Sequence, residues 1–183
     1  LVATAFDGKK KISSAQVLAT NEIVLSIPKP KFWSPDKPFL YDLELKLVMG
    51  RNTFDVVHSY FGMRKIEIAK EGNINRLMLN GKFVFQVGTL DQGFWPDGIY
   101  TAPTDDALKS DIEMHKKLGF NLIRKHVKVE TDRWYYWADK LGILVWQDMP
   151  SANNSNPEGK IQFEIELQRM IEERRNHPSI IMW

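Results

Sequence analysis

Hydrophobic and polar positions follow two different periods along the chain. Up to about residue 70, short apolar runs alternate with polar positions and are separated by turn sequences such as Asp7-Gly8 and Gly50-Arg51-Asn52. Alternation with a period of two is typical of half-buried β-strands. The clearest predicted strands cover residues 24–27, 43–47 and 54–57. Short strands separated by polar turns predict an antiparallel β-sandwich of the immunoglobulin type.

After about residue 83 the pattern changes to strands that alternate with helices. An apolar strand is predicted to begin at Phe83. Three further strands are predicted at residues 120–123, 143–146 and 179–183. Thr104 and Thr131 are suited to cap the two helices between the first three strands. A third, longer helix carries apolar side chains on one face, namely Phe163, Leu167, Met170 and Ile171. Strands joined by crossover helices predict a parallel sheet with buried strands.

Two folds contain such a sheet, an open doubly wound sheet and a (β/α)₈ barrel. No glycine-rich phosphate loop follows the first predicted strand, and the first helix begins with Asp105-Asp106, which would repel a phosphate. The barrel is therefore favoured over an open α/β domain that binds a phosphorylated ligand. Because a complete barrel takes about 250 residues, the chain is expected to be truncated. We predict a partial immunoglobulin-like β-sandwich at residues 1–70, a junction at 71–82 and the first half of a TIM barrel, strands 1 to 4, at 83–183.

Composition and charge exclude several classes of function. The net charge of +2 over 183 residues gives no basis for nucleic-acid binding, and no apolar run approaches the length of a membrane helix, roughly 18 residues. The chain has no cysteine, which excludes thiol catalysis and thiolate metal sites, and its histidines lie in no ligand pattern. No metal and no other cofactor are therefore expected. A cysteine-free chain fits a bacterial protein, either cytoplasmic or periplasmic and secreted, and no signal peptide opens this stretch.

Several motifs mark the junction between the two parts of the chain and the barrel strands after it. Those at the junction are Trp33-Ser-Pro, Pro38-Phe-Leu-Tyr41, Tyr60-Phe-Gly-Met-Arg-Lys65 and Leu79-Asn-Gly-Lys82. Those in the barrel part are Gly119-Phe-Asn-Leu-Ile-Arg-Lys-His126, Asp139-Lys-Leu-Gly-Ile-Leu-Val-Trp146 and Arg175-Asn-His-Pro-Ser-Ile-Ile-Met-Trp183. In this order they resemble glycoside hydrolase family 2, which includes β-galactosidases, β-glucuronidases and β-mannosidases. The last motif resembles the segment that leads to the family's catalytic acid/base.

The resemblance implies a retaining glycosidase that cleaves O-glycosidic bonds with two carboxyl groups. In the family an Asn-Glu pair follows the fourth barrel strand and supplies the acid/base, and the nucleophilic Glu follows the seventh strand. Both positions lie beyond Trp183, so no catalytic residue is assigned and this chain alone is expected to be inactive. Residues 88–98 and the dipeptide Val127-Lys128 depart from the β-galactosidase pattern. The parent enzyme is therefore expected to be β-galactosidase-like, with an unassigned sugar.

The ends of barrel strands line the ligand pocket, and the candidates there for binding the sugar are Asp91, Trp95, Arg124, His126 and Asp148. Arg124, on a buried strand, would either hold a catalytic glutamate ionised or form a structural ion pair. His126 would bind a sugar hydroxyl or be a core histidine. The two aspartates would bind hydroxyls or accept backbone N–H groups, and Trp95 would stack on a sugar from an exposed turn. Other charged residues nearby are predicted to face solvent or each other: Lys125, Lys128 and Glu130.

A β-glycoside is the expected partner of the parent enzyme. A second hypothesis is a non-catalytic carbohydrate-binding or interaction module formed by residues 1–70, which requires an exposed strip of aromatic side chains. The residues that could form this strip are Phe32, Trp33, Phe39, Tyr41, Phe54, Tyr60 and Phe61. The fourth barrel strand is expected to leave an unpaired edge, which would pair with a second copy as a homo-oligomer or remain disordered.

Overall fold

The first part of the chain folds into antiparallel sheets. The computed structural model describes residues 1–19, 22–151 and 154–183. Its first sheet contains the strands β1 (Val2–Asp7), β2 (Lys10–Gln16), β3 (Tyr41–Met49) and β4 (Asn52–Phe61). They pair in the order β2-β1-β3-β4, and every pair is antiparallel. The strands predicted at residues 43–47 and 54–57 are confirmed as parts of β3 and β4.

The prediction of a strand at residues 24–27 is wrong. This segment is extended and its side chains alternate in exposure, but within the described ranges its backbone pairs with no neighbouring strand. Leu25 and Ile27 instead line a cleft of about 600 Å³ together with Leu43 and Leu45 of β3. The alternation therefore reflects contact with the face of the sheet. A segment on the face does not meet the edge groups that a strand needs for pairing.

A second antiparallel sheet follows, with β5 (Ile66–Glu71), β6 (Ile74–Leu79) and β7 (Lys82–Phe83) in that order. The prediction that a barrel strand begins at Phe83 is wrong, because Phe83 pairs antiparallel with Met78. The cause is the turn Asn80-Gly81, where both residues have a positive φ, 53° and 75°. A two-residue turn of this kind joins adjacent antiparallel strands, so it returns the chain along β6. The first parallel strand, β8, is Gly88–Asp91.

The chain after β8 alternates helices and strands. In order, these elements are α1 (Asp105–Lys117), β9 (Leu122–Lys125), α2 (Asp132–Leu141), β10 (Leu144–Gln147), α3 (Pro157–Arg174) and β11 (Ile180–Met182). Thr104 caps α1 as predicted, since its Oγ1 accepts the Ala107 N–H at 3.0 Å. Thr131 occupies the N-cap position of α2 without a side-chain bond, and Gly142 ends α2 with a φ of 77°. No helix within the described ranges is long and apolar enough to cross a membrane.

The parallel sheet has the strand order of a barrel. β8, β9, β10 and β11 are neighbours in chain order, and each adjacent pair is parallel. Ile123, Val145 and Ile180 pack in one core with side chains of α1 and α2, so these helices cover the same face of the sheet. A doubly wound sheet would reverse its strand order and carry helices on both faces. The predicted fold class is confirmed: antiparallel sheets of the immunoglobulin-like part precede the first strands of a TIM barrel.

The face of the parallel sheet opposite the helices, here called the inner face, packs against the antiparallel part. Leu122 and Leu144, at the starts of β9 and β10, form a second core with Trp33 and Leu79. Trp33 is fully buried, and its indole N–H donates to the Asp139 carbonyl oxygen at 2.8 Å. The Trp33 side chain thus connects the antiparallel part both to the parallel sheet and to helix α2.

The Asp139 carboxylate, fully buried in α2, makes a second connection. It accepts hydrogen bonds from the Tyr60 hydroxyl (2.8 Å), the Ser179 backbone N–H (2.9 Å) and the His177 imidazole (2.6 Å). Burial, followed by the charge of Asp139, raises the pKa of the Tyr60 hydroxyl, so Tyr60 remains a donor. Arg64 extends this joint by donating to two carbonyl oxygens next to and within β11. The motifs that carry the family resemblance therefore meet where the two parts of the chain join.

Candidate functional site

The C-terminal ends of the parallel strands lie together at one edge of the sheet, where barrel enzymes bind their ligands. Side chains along each strand alternate between the helix side and the inner face. The register pairs Leu90 with Arg124 and Arg124 with Trp146, so these three residues share the inner face. Asp148 follows directly after β10. This part of the inner face, together with Asp148, is the candidate site.

Arg124 and Asp148 form an ion pair at this site. Arg124 Nε lies 3.1 Å from Asp148 Oδ1, and Nη2 lies 2.8 Å from Oδ2, which is a bidentate arrangement. The hydrogen bonds to Asp148, followed by its charge, raise the pKa of Arg124. The Arg124 side chain is 45% exposed although its strand is otherwise buried, and its role in sugar binding stays a prediction. The alternation of the strand places it on the open inner face, where Nη1 has no partner among the described residues.

Asp91 lies on the helix side of the sheet, away from this ion pair. It is the register partner of Lys125, whose ammonium lies 2.6 Å from Asp91 Oδ2. The other carboxylate oxygen accepts the Gly93 N–H at 2.7 Å. Burial raises the pKa of Asp91, but the charge and hydrogen bond of Lys125 and the Gly93 N–H outweigh it, so the net shift is downward. The geometry matches the alternative of a carboxylate that accepts a backbone N–H, and sugar binding by Asp91 stays a prediction.

Asp91 belongs to a buried charge cluster that consists of Asp91, Lys125, Lys128 and Glu130. Lys125 and Lys128 lie 2.6 Å and 3.1 Å from Glu130 Oε1. The Lys125 and Glu130 side chains are 1% and 5% exposed, so these residues face each other and not solvent. The sequence contains one indication that Lys125 is buried. Lys125 lies two residues after the buried Ile123, and residues two apart in a strand point to the same side of the sheet.

His126 is half buried at the end of β9. Its backbone N–H donates to the Asp91 carbonyl oxygen (2.9 Å), and its Nδ1 lies 2.8 Å from Gln92 Nε2. Because an amide –NH₂ donates, Nδ1 accepts and the imidazole proton lies on Nε2. Nε2 has no partner among the described residues. His126 is therefore fixed by one nitrogen and can donate a hydrogen bond to a ligand with the other.

Trp95 lies in a turn, as predicted, but its indole is not exposed. Two backbone hydrogen bonds with Ile99, at 2.7 Å and 3.1 Å, close the turn. The indole packs against the helix-side core, and its N–H is buried without a partner among the described residues. The exposed aromatic side chains of this loop are instead Phe94 (59%) and Tyr100 (48%), with ring centroids 4.6 Å apart. No hydrophobic period in the sequence relates Phe94 to Tyr100, so the sequence does not predict this pair.

The alternative of a carbohydrate-binding module gains no support from the antiparallel part. Trp33 and Tyr41 are 0% and 2% exposed, so both are core residues. Phe32 and Phe54 are exposed, but the buried rings between them leave no continuous strip. Within the described ranges no three His, Cys, Asp or Glu side chains are grouped as metal ligands would be.

Comparison with known proteins agrees with this geometry. The sequence pattern of glycosyl hydrolases family 2 matches residues 3–64, and that of the family's TIM barrel domain matches residues 75–183. A β-galactosidase from Lactococcus lactis subsp. lactis is 31% identical over 170 residues, which cover 87% of this chain and 16% of that protein. The chain spans about a fifth of the length of the curated relatives it matches, 16% to 20%.

Solved structures show the same fold. The β-glucuronidase of Parabacteroides merdae matches with a TM-score of 0.84 and 27% identity, over 100% of this chain and 23% of that chain. A β-glucuronidase from Ruminococcus gnavus, solved in complex with D-glucuronic acid, matches with a TM-score of 0.85 and 21% identity, over 98% of this chain and 30% of that one. The barrel pattern alone covers more than half of the chain. The chain belongs to glycosyl hydrolases family 2.

Proposed function

We propose that the protein containing this chain is a retaining β-glycosidase, and that this chain supplies sugar-binding groups from the first four barrel strands. The observation that supports this best is the bidentate Arg124–Asp148 pair at the C-terminal ends of two adjacent parallel strands. Barrel enzymes place the groups that bind and orient their ligands at these rigid strand ends. The names of the relatives make a galactoside or a glucuronide the expected substrate.

Each candidate residue has a role that follows from its geometry. Arg124 Nη1 would bind a sugar oxygen or keep a neighbouring glutamate ionised. His126 Nε2–H would donate to a hydroxyl, and Asp148 would accept from one while it orients Arg124. Asp91 and Trp95 lie on the helix side, so their binding of the sugar is the least supported part of the proposal.

The chemical step needs groups outside this chain. Retaining hydrolysis uses two carboxyl groups about 5 to 5.5 Å apart, one as nucleophile and one as proton donor. The family resemblance assigns both to positions after Trp183. We therefore propose that the 183-residue chain by itself does not hydrolyse glycosides.

The test compares this chain with a longer chain from the same gene that extends through all eight strands of the barrel. We expect the longer chain to hydrolyse aryl β-glycosides with retention of configuration, observed by NMR of the first sugar product, and the 183-residue chain to be inactive. A longer chain that is inert across galactosides, glucuronides, mannosides and glucosides would refute the enzyme assignment. Activity of the short chain would refute the assignment of the carboxyl groups.

The unpaired edge of β11 could bind a second copy of the chain. β11 pairs with β10 on one side, and no strand within the described ranges pairs with its other side. In the longer enzyme the next barrel strand would occupy this edge. For the 183-residue chain alone we propose pairing with a second copy. Light scattering after size-exclusion chromatography should then show a dimer, and a monomer at every concentration would contradict the proposal.

A further inference from the structure

Lys128 connects both ends of the loop that follows β8. Its ammonium donates to the carbonyl oxygens of Gly93 and Tyr100, both at 2.8 Å. The side chain is 10% exposed and also lies 5.0 Å from the centroid of the Tyr100 ring. A nearly buried ammonium needs acceptors on several sides, and here two of them belong to one loop. Lys128 therefore closes loop 92–101 at its base.

The same residue joins the ends of two other strands. Its ammonium lies 3.1 Å from Glu130 Oε1, which also accepts from Lys125 at the end of β9. Its backbone carbonyl oxygen accepts the Gln147 side-chain N–H at 2.8 Å, at the end of β10. The loops after β8 and β9 and the last residue of β10 therefore meet at Lys128. These are the loops that begin beside the candidate site.

Backbone conformation in these loops is strained where Lys128 acts. Val127 and Ile99 have positive φ values of 51° and 56°. β-branched residues rarely adopt this conformation, and it persists only where the surrounding contacts enforce it. Gly93 also has a positive φ, 64°, and a Cβ there would overlap the Glu130 carboxylate and the Lys128 ammonium. A residue larger than glycine therefore does not fit at position 93 unless the charge cluster moves.

We propose that Lys128 is a positioning residue of the sugar site, which holds loop 92–101 so that Gln92 orients His126. This inference rests on the proposed glycosidase function. Lys128 itself faces the charge cluster and touches neither Arg124 nor Asp148. Its contribution is the fixed arrangement of groups that bind substrate, and such pre-organisation is lost when a supporting residue is removed.

The first experiment is kinetic and uses the longer chain through all eight strands. Lys128→Met removes the ammonium, and Lys117→Met removes an equal charge from an exposed position of α1 as the matched control. We expect Lys128→Met to raise KM about tenfold, with kcat changed less than about twofold, because uniform binding is lost and not a contact made only in the transition state. A purely structural role would reduce the concentration of folded enzyme, which lowers the apparent kcat and leaves KM unchanged. That result, or an unchanged KM and kcat, would overturn the proposal.

The second experiment does not depend on catalysis. It uses the 183-residue chain, which has no cysteine, so that Lys128→Cys introduces a single thiol. Reaction of this thiol with 2-bromoethylamine forms a C–S bond with loss of bromide and restores an ammonium at nearly the length of lysine. We expect amide hydrogen exchange in loop 92–101 to accelerate in the cysteine variant, to be restored by bromoethylamine, and to stay fast after iodoacetamide.

The two experiments separate the possible failures. If the longer chain without substitutions is inert, the proposed function fails, and hydrogen exchange still decides whether Lys128 holds the loop. If loop 92–101 remains equally protected in Lys128→Cys, the positioning role fails, whatever the enzyme hydrolyses.

Discussion

His177 Nδ1 donates a hydrogen bond of 2.6 Å to the Asp139 carboxylate, and this bond joins the segment that precedes β11 to helix α2. The same carboxylate accepts from the Tyr60 hydroxyl of β4 at 2.8 Å. Because a carboxylate only accepts, the proton of the His177 bond lies on Nδ1. Three elements that are far apart in sequence are thus fixed by one buried acceptor.

Asp139→Ala should destabilise the chain by about 3 to 5 kcal/mol, the range for removing one partner of a buried charged network. The variant leaves the Tyr60 hydroxyl, the His177 imidazole and the Ser179 N–H without their acceptor. Urea denaturation followed by tryptophan fluorescence measures the change. Asp132→Ala, at a side chain that is 87% exposed on the same helix, is the control and should change stability by less than about 0.5 kcal/mol. Equal effects of the two variants would contradict the role of Asp139.

Stability at acid pH should depend on Asp91. The pKa of Asp91 is lowered from 3.8, since Lys125 and the Gly93 N–H outweigh the effect of burial. A carboxyl group with a lower pKa in the folded state stabilises the fold above its unfolded pKa, and this stabilisation is lost as the pH falls through the folded pKa. The difference in unfolding free energy between the unsubstituted chain and Asp91→Asn should be constant well above pH 3.8 and shrink below it. A difference that does not vary with pH would exclude this linkage.

Gly88→Ala should weaken the pairing of β8 with β9. A Cβ at residue 88 would overlap the Leu122 carbonyl oxygen, which belongs to the backbone and moves only with its strand. We expect a loss of about 1 to 3 kcal/mol, as for other overpacked sites, with faster amide exchange in both strands. Gly8→Ala is the comparison, because no atom lies within 4 Å of the added group. It has a positive φ and should cost some stability without exposing β8 or β9.

Arg124→Gln should impair the longer enzyme far more than it alters folding. The change removes the bidentate pair with Asp148 on the inner face, and a displaced binding group can cost about 100-fold in kcat/KM. Arg133→Gln is a matched control, since Arg133 makes a similar pair with Asp105 on the helices, at 2.9 Å and 2.6 Å. Steady-state kinetics with an aryl β-glycoside should show a large loss only for Arg124→Gln. Similar losses in both would remove Arg124 from the sugar site.

The sequence was most informative where local chemistry determines the backbone. Thr104 and Gly142 mark the start of α1 and the end of α2 because a side-chain acceptor and a left-handed glycine satisfy groups that every helix leaves open. It was least informative where partners are distant in sequence. Residues 24–27 are a short apolar run of the kind that forms strands, but pairing depends on a neighbouring edge that no local pattern encodes. The Asn80-Gly81 turn, by contrast, was a readable signal that Phe83 belongs to a hairpin.

The candidate site was predictable only in outline. Arg124 and Asp148 were named from their positions at strand ends, and the structure brings these two together. Contact among Lys125, Lys128 and Glu130 was one of two predicted alternatives. The sequence could not decide between them, because Lys125 looks like a surface residue until its register with Asp91 is known. Trp95 was predicted to be exposed because it lies in a turn. A turn sequence predicts the path of the backbone, whereas the packing of the indole depends on side chains of α1 and α2 that are distant in sequence.

The full burial of Trp33 against Asp139 has a consequence for how the chain melts. Withdrawal of the indole from this contact would leave a cavity beside Leu122 and Leu144, so we expect the antiparallel region and the parallel sheet to unfold together. Calorimetry should accordingly record one endotherm for both regions. A chimaera that takes the antiparallel region from a relative should fold only if that region carries a tryptophan at the position of Trp33, where it packs against Leu122 and Leu144.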